Sequence, residues 1–227
     1  MKHAGIARRA ALKLILPPLL AVIAAGLLGL MLGWPAWLAG LAGTAAALWL
    51  LFAGFTVYFF RDPEARPPGA PGLALSPGHG KVDAIEILNQ SPCFPGPCHR
   101  VSIFLSVIDI HVQNAPVSGK IAGLRHAPGQ FISALKPQSA LQNENVPIEF
   151  ASAETPGEKV GVRLIAGVIA RRIVPFVREG DELRRGQRIS LIQFGSRCDL
   201  YLPLDYKIKV KLGDKVVGGE TIMAAKA

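Results

Sequence analysis

The stretch that decides the fold is Arg188–Pro203, which reads RISLIQFGSRCDLYLP. Two largely apolar runs, Ile189–Phe194 and Asp199–Leu202, lie on either side of the pair Gly195-Ser196. Each run is too short for an ordinary helix, and bulky apolar and β-branched residues are enriched in strands. The stretch therefore predicts two β-strands interrupted by a sharp turn at Gly195-Ser196.

The same pattern continues over most of the chain. Short apolar or alternating runs are separated by Gly, Pro and Asn turns, and none keeps a 3.6-residue period for long. The further runs are Val101–Val107, Gly119–Leu124, Val160–Ile169 and Lys207–Val210. We therefore predict a mostly β domain, barrel-like or sandwich-like, over residues 72–227.

An internal repeat supports the β prediction. Residues 177–189 read VREGDELRRGQRI, and residues 210–222 read VKLGDKVVGGETI. In both copies Gly-Asp is typical of a turn, because glycine tolerates a positive φ and aspartate can cap the turn. Each copy predicts a hairpin corner like those of biotinyl and lipoyl carriers. The Met-Lys pair that such carriers modify is absent from both corners, so a carrier is the weakest alternative.

The amino-terminal quarter has a different composition. Residues 14–60 contain no Asp, Glu, Lys, Arg or His. As a single helix they would extend about 70 Å, whereas a bilayer core is about 30 Å thick. Because Gly33–Pro35 favours a break, we predict a hairpin of two transmembrane helices, Leu14–Leu32 and Ala36–Phe60. A secretory signal and a buried helical hairpin are the alternatives, but a signal run spans only about 7–15 residues.

Basic residues predict the orientation of this hairpin. Four Lys or Arg and no acidic residue precede the first span, Arg61 and Arg66 follow the second, and the loop between them is uncharged. The positive-inside bias then places both ends on the cytoplasmic side of the cell (inner) membrane. We divide the chain into a membrane anchor (1–60), a proline-rich linker (61–71) and a cytoplasmic domain (72–227).

The charge of the cytoplasmic domain indicates its partners. After the first sixty residues the chain holds 21 basic and 16 acidic residues, a modest excess. Arg/Lys clusters with interleaved aromatic residues are lacking, so we expect no nucleic-acid partner. A mildly basic domain tethered at a bilayer is suited to an anionic lipid surface. A homodimer is compatible with the sequence, which does not fix the oligomeric state.

The three cysteines are Cys93, Cys98 and Cys198. An odd number in a cytoplasmic domain argues against a disulfide framework. The segment from Cys93 to His99 has the spacing of half a metal site, but no second Cys/His pair with ligand spacing follows it. We therefore predict no metal and interpret this segment as a proline-rich loop.

Three side chains are candidates for chemistry: Ser196, His111 and His79. A serine after Gly195 at a sharp turn is suited to serinolysis. Its hydroxyl attacks the preceding carbonyl to give an ester, β-elimination leaves dehydroalanine, and hydrolysis gives a pyruvoyl group. The hydroxyl needs a base, and by residue type His111 with Asp109 as its orienting partner is the obvious choice. The alternative is that each histidine is structural.

The chain resembles the short bacterial and archaeal type of the phosphatidylserine decarboxylase family. The resemblance covers the chain from about residue 58 to its end, with every block in the family order. The matching blocks are Tyr58–Pro63, Ser106–Val112, Ala115–Gly119, Pro128–Phe131, Ala170–Ile173, Val177–Gln187 and Phe194–Pro203.

This resemblance implies a self-cleaving proenzyme that decarboxylates phosphatidylserine to phosphatidylethanolamine. Cleavage between Gly195 and Ser196 would give a large chain and a small chain of 32 residues (196–227) that begins with a pyruvoyl group. That group, the cofactor made from Ser196, would accept the electrons released as carbon dioxide leaves. His111 matches the family histidine of the decarboxylation step, and Asp109 matches the acid beside it.

Two departures from the family pattern concern the candidate site. The family usually has Ala-Asp-Gly, with the aspartate in the self-cleavage machinery, where this chain has Gly78-His79-Gly80. Long-form members carry a second histidine where this chain has Asn114. His79 could itself act as the base, since an unperturbed histidine titrates near pH 6.5, or Asp83 could supply a carboxylate. The alternatives are an unprocessed lipid-binding relative and a decarboxylase of another serine phospholipid.

Overall fold

The computed structural model describes residues 5–132, 142–168, 172–193 and 196–227. The described chain divides into a helical unit, Gly5–Asp62, and a β unit that begins at Pro63.

The helical unit consists of α1 (Ile6–Leu32) and α2 (Ala36–Phe59). Gly33 ends α1 with a φ of 60°, and its N–H donates to the carbonyl of Gly29. Both helices are long and apolar enough to cross a membrane, and their apolar windows are not buried within the structure. The predicted pair of helices is confirmed. However, α1 begins at Ile6 instead of Leu14, because lysine and arginine are good helix formers and extend the first helix.

The described part of the β unit contains fourteen strands. They are β1 (Leu73–Leu75), β2 (Gly80–Leu88), β3 (Cys98–Leu105), β4 (Val112–Asn114), β5 (Gly119–Leu124), β6 (Asn145–Ser152), β7 (Lys159–Ala166), β8 (Ile173–Pro175), β9 (Glu182–Leu183), β10 (Arg188–Ile192), β11 (Ser196–Pro203), β12 (Tyr206–Ile208), β13 (Lys215–Val216) and β14 (Ile222–Lys226).

Three antiparallel sheets are formed from these strands. The largest has eight strands in the order β13-β2-β3-β11-β7-β6-β5-β9, and the two smaller sheets have the orders β1-β14-β12 and β4-β10-β8. The mostly β prediction is confirmed. Within the described residues the sheets stay open, and no closed barrel forms.

The hydrophobic core lies against one face of the large sheet. Cys198, Leu200 and Leu202 of β11 are fully buried in it. The two flanking strands contribute Val101, Ile103 and Leu105 from β3 and Val160, Val162 and Leu164 from β7. Because side chains alternate along a strand, Ser196 shares this inner face of β11. Arg197, Asp199 and Tyr201 share the outer face.

The two copies of the sequence repeat form equivalent turns. Asp181 Oδ2 accepts the N–H of Arg178 at 2.9 Å, and Asp214 Oδ2 accepts the N–H of Lys211 at 2.8 Å. The glycine before each aspartate has a positive φ, 93° and 91° respectively. The predicted Gly-Asp turns therefore form in both copies, but neither is a hairpin, because the strands on either side of each turn (β8 and β9, β12 and β13) belong to different sheets.

The proline-rich segment that precedes β1 is held on the β unit. The guanidinium of Arg185 donates to the carbonyls of Pro68 and Ala70, at 2.9 and 2.7 Å. The N–H of Arg66 donates to Glu220 Oε1 at 3.0 Å. These bonds hold residues 66–70 against the β unit ahead of the first strand.

Candidate active site

Ser196 is the first residue of β11, in the interior of the large sheet. It pairs with Leu105 at the end of β3 and with Ala166 at the end of β7. The sequence predicts a turn at Gly195-Ser196, whereas Ser196 already belongs to the strand, because both neighbouring strands extend far enough to pair with it. Gly195 lies outside the described residues.

The hydroxyl of Ser196 is fully buried and has no hydrogen-bond partner among the described residues. Leaving such a group unsatisfied costs about 1–3 kcal/mol, so most buried hydroxyls in proteins are paired. Within the described residues, the other buried side-chain atoms without a partner are Arg100 Nε, Ser102 Oγ, Arg197 Nε and Asp199 Oδ1. Ser196 differs from them because it lies on the inner face of β11.

His111 follows the loop that leaves β3 at the same end of the sheet. Its Nδ1 lies 2.9 Å from the carbonyl oxygen of Asp109. A carbonyl only accepts hydrogen bonds, so Nδ1 carries the proton and Nε2 is the acceptor nitrogen of the ring. The carboxylate of Asp109 accepts the N–H of Ser106 at 2.8 Å and closes the loop. Asp109 therefore orients the histidine through its backbone, not through its side chain.

Two buried polar side chains fix the backbone of His111. Its carbonyl accepts the N–H of Ile192 at 3.0 Å and the side-chain amide of Gln113 at 2.7 Å. The other end of that amide, Gln113 Oε1, accepts the hydroxyl of Ser190 at 2.6 Å. Since Ile192 lies four residues before Ser196, β10 brings the two candidate residues to the same end of the sheets.

His79 is half-buried in the turn between β1 and β2. The hydroxyl of Ser76 donates to the carbonyl of Gly78 at 2.6 Å and shapes this turn. A Cβ placed on Gly78 would lie 3.6 Å from Cys198 Cβ, so the turn packs against the inner face of β11. His79 is therefore on the same side of the sheet as Ser196.

Asn114 lies beside His79 in the structure. A Cβ placed on Gly218 would lie 2.9 Å from Asn114 Oδ1 and 2.9 Å from His79 Cδ2. The Asn114 amide also donates to the carbonyl of Gly186 at 2.9 Å. Asn114 and His79, the two positions that depart from the family pattern, thus lie against the same glycine, Gly218. There is no room at position 218 for a residue larger than glycine.

Asp83 is placed differently from the two histidines. Its carboxylate forms an ion pair with Arg197 on the outer face of the sheet. Because Arg197 and Ser196 are neighbours in a strand, their side chains point to opposite faces. Asp83 therefore lies on the face of the sheet opposite to the Ser196 side chain.

A buried charged cluster on the outer face was missed from the sequence. Asp199 is fully buried, and this burial raises the pKa of its carboxyl, although the hydroxyl of Ser102 and neighbouring arginines oppose the shift. Tyr201 donates its hydroxyl to Asp199 Oδ2 at 3.2 Å. The arginines are Arg100, Arg197 and Arg163. The alternation of residues 197–201 was the available signal, since it places charged and polar side chains on one face.

The cysteines are free thiols. Burial raises the pKa of Cys93 to about 12 and raises that of Cys198 well above its ordinary value, so both thiols stay protonated at neutral pH. Within the described residues, no group of three or more His, Cys, Asp and Glu side chains is placed to hold a metal ion.

Comparison with known proteins gives a consistent result. A family model described as phosphatidylserine decarboxylase matches residues 52–224. The phosphatidylserine decarboxylase proenzyme of Desulfotalea psychrophila is 43% identical over 176 residues, which cover 78% of this chain and 81% of that protein. The proenzyme of Oleidesulfovibrio alaskensis is 41% identical, with 80% and 82% covered. That of Magnetococcus marinus is 39% identical, with 78% and 79% covered.

Proposed function

Because the chain belongs to the phosphatidylserine decarboxylase family, we propose that it converts phosphatidylserine to phosphatidylethanolamine with a pyruvoyl group made from its own Ser196. The observation that carries this proposal is the buried hydroxyl of Ser196, which has no partner within the described residues and lies next to the point of cleavage. A pyruvoyl group supplies a ketone that accepts electrons as carbon dioxide leaves.

Self-cleavage uses the position of Ser196 at the start of a paired strand. Its Oγ attacks the carbonyl carbon of Gly195, the peptide C–N bond breaks, and the serine nitrogen takes up a proton. Loss of the Cα proton then breaks the Cβ–Oγ bond and releases the Gly195 carboxylate, and water displaces ammonia from the remaining residue. His79 supports the first step as the proton acceptor, since its turn packs on the inner face of β11.

His111 transfers the proton of the decarboxylation step. The Asp109 carbonyl fixes Nδ1 as a protonated nitrogen, so proton exchange with the substrate would take place at Nε2. A fully buried ring with a fixed tautomer can hold its proton at one defined atom. Asp109 is thus a positioning residue, acting through the orientation of His111.

The two chains stay together after cleavage, because β11 is held along its length. Ser196 to Pro203 pair with β3, and Ser196 to Tyr201 pair with β7. The ion pair of Arg197 with Asp83 fixes the residue next to the new terminus. A strand paired on both sides keeps its first residue in place when the preceding peptide bond is lost.

The proposed location is the cytoplasmic leaflet. Residues 1–60 would anchor the protein, residues 61–71 would link the anchor to the catalytic domain, and that domain would extend from residue 72 to 227. The four basic residues before the charge-free run that starts at Leu14 support this orientation, since positive residues are retained on the cytoplasmic side. An anionic lipid surface then lies within reach of the domain.

The intact mass of the purified full-length protein tests this proposal. We expect two chains, of which the smaller spans residues 196–227, is lighter than the serine-started peptide by one ammonia, and resists Edman degradation. A Ser196→Ala variant should stay a single chain and should not release carbon dioxide from phosphatidylserine. A single wild-type species with serine intact after long incubation would instead identify an unprocessed lipid-binding relative, the alternative that His79 favours.

A further inference from the structure

Four large apolar side chains are exposed on loops at one end of the large sheet. They are Val107 and Ile108 in the β3–β4 loop, Phe131 before β6, and Val168 after β7. Ile108 is 61% exposed and Val168 is 58% exposed. We refer to these four residues as the apolar rim. Exposed apolar side chains that share one end of a domain are typical of a contact surface.

The apolar rim borders the end of the sheet at which Ser196 begins β11. Ser196 pairs with Leu105 and with Ala166. The loop that carries Ile108 starts directly after Leu105, and Val168 follows Ala166 by two residues. Both loops therefore leave the sheet from the strands that flank the proposed pyruvoyl position.

Phe131 is brought to the same end by a buried asparagine. Asn143 accepts the N–H of Ile132 at 3.0 Å and donates to its carbonyl at 2.7 Å. The same amide donates to the carbonyl of Ala166 at 2.6 Å. The segment that holds Phe131 is thus tied to the end of β7.

A cation accompanies these apolar residues. Arg172 is exposed, and its carbonyl accepts the N–H of Gln193 at 3.1 Å, three residues before Ser196. An exposed arginine at the same end of the sheet is suited to a phospholipid surface, because a guanidinium can contact phosphate while apolar groups enter the hydrocarbon boundary.

Two helices long and apolar enough to cross a membrane precede the β unit in the chain. A bilayer is therefore the apolar phase to which this chain itself supplies an anchor, and we take it as the occupant of the apolar rim.

We propose that the apolar rim inserts into the boundary between headgroups and acyl chains of a phospholipid bilayer, and that the lipid substrate passes from this boundary to Ser196. The proposal rests on the proposed function and names the surface through which that site takes its substrate. The partner of the apolar rim is thus the bilayer. The lipid headgroup need only move along the end of the sheet to reach Ser196.

The opposite end of the sheet provides a matched control. Ile87 is 67% exposed and Leu204 is 46% exposed. Leu88 pairs with Cys98, and Cys98 pairs with Pro203, so both controls lie at the end far from Ser196. Replacing them removes a similar apolar area from the surface without touching the rim.

The test uses the full-length mature protein reconstituted in phosphatidylcholine vesicles. One substrate is long-chain phosphatidylserine at low mole fraction in the same bilayer, and the other is a short-chain phosphatidylserine dissolved in the water phase. We expect the Ile108→Ser/Val168→Ser variant to lose about tenfold or more of its activity on the bilayer substrate, as the removal of two exposed aliphatic side chains from an apolar phase predicts. Activity on the dissolved substrate and maturation into two chains should be unchanged.

The control Ile87→Ser/Leu204→Ser should match the wild type on both substrates. Val168→Thr nearly preserves side-chain volume and should fall between the wild type and the double variant, whereas Ile108→Leu should retain activity. Wild-type activity of the double variant on bilayer phosphatidylserine would overturn the proposal. Equal losses on both substrates, or a change in oligomeric state of the double variant, would also overturn it. If the wild type consumes neither substrate, the proposed function itself fails.

Discussion

The two faces of β11 use burial in opposite ways. On the inner face, the neutral side chains of Ser196 and Cys198 are fully buried, and the His79 turn packs against Cys198. On the outer face, Asp199 is fully buried among charged groups, and Arg197 is paired with Asp83. One strand therefore separates a neutral face that carries Ser196 from a charged face that holds the strand.

This difference indicates which residues can do chemistry. A buried charge is stable only with partners, and on the outer face Arg197 pairs with Asp83 and Tyr201 donates to Asp199. Burying a neutral hydroxyl costs less free energy than burying a charge. A hydroxyl without a hydrogen-bond partner also keeps its reactivity. Substitutions near the inner face should therefore change reaction rates, and substitutions on the outer face should change stability.

The largest effect is expected from His111→Ala. Self-cleavage should still occur, but decarboxylation of phosphatidylserine should fall by roughly 10²-fold, the scale of losing a positioned acid-base group. The measurement is carbon dioxide release by mature protein, with intact mass to verify both chains. His126→Ala, at an exposed histidine paired with Glu144, is the control. Normal turnover by the His111 variant would remove this residue from the proposed step.

A smaller effect is expected from His79→Ala, this time on maturation. Loss of the proposed proton acceptor should slow self-cleavage by about tenfold or more. His79→Asp, which introduces the usual family residue, should keep cleavage. The rate is followed from the disappearance of the full-length chain after synthesis. If His79→Ala matures at the wild-type rate while Asp83→Ala does not, the roles assigned to the two faces are reversed.

Much of this fold is predictable from the sequence, because local patterns decide it. The run Gly119–Leu124 matches β5 residue for residue, and both Gly-Asp turns form as expected. The strands β2 and β6 were not predicted. β2 carries charges at Lys81, Asp83 and Glu86, and the arginine that pairs with Asp83 comes from β11, which is distant in sequence.

The candidate site is less predictable than the fold. The sequence indicates Ser196, His111 and His79 by residue type and family pattern, but the partner of each side chain depends on tertiary structure. The carbonyl of Asp109, not its carboxylate, orients His111. The pairing of Asp83 with Arg197 likewise requires knowledge of which strands are neighbours. No local pattern contains either fact.

Asp83→Asn tests the outer face directly. The Arg197 side chain is 11% exposed and that of Asp83 is 25% exposed, so their ion pair is largely shielded from water. Its loss should lower the free energy of unfolding by about 1.5–3 kcal/mol, the range for hydrogen bonds to charged groups. Glu86→Gln is the matched control on β2, and its smaller effect follows from the greater exposure of Glu86. Thermal unfolding in detergent measures the stability of each variant. A large loss of self-cleavage rate in Asp83→Asn would contradict the expectation that outer-face substitutions change stability and not reaction rates.

The smallest effect is expected from Asp199→Asn, and it should depend on pH. Burial raises the folded-state pKa of this carboxyl, while nearby arginines reduce the shift. A raised pKa means that the folded state favours the protonated form, so the contribution of this group to stability is present below the unfolded pKa of about 3.9 and is lost as pH rises through the folded value. Asparagine cannot ionise and can still accept the Tyr201 hydroxyl. The stability of the variant relative to the wild type should therefore increase from acidic to neutral pH.

Unfolding midpoints of both proteins across this range measure the difference, with exposed Glu179→Gln as the control. A difference that stays constant with pH would show that Asp199 ionises as easily in the folded as in the unfolded chain.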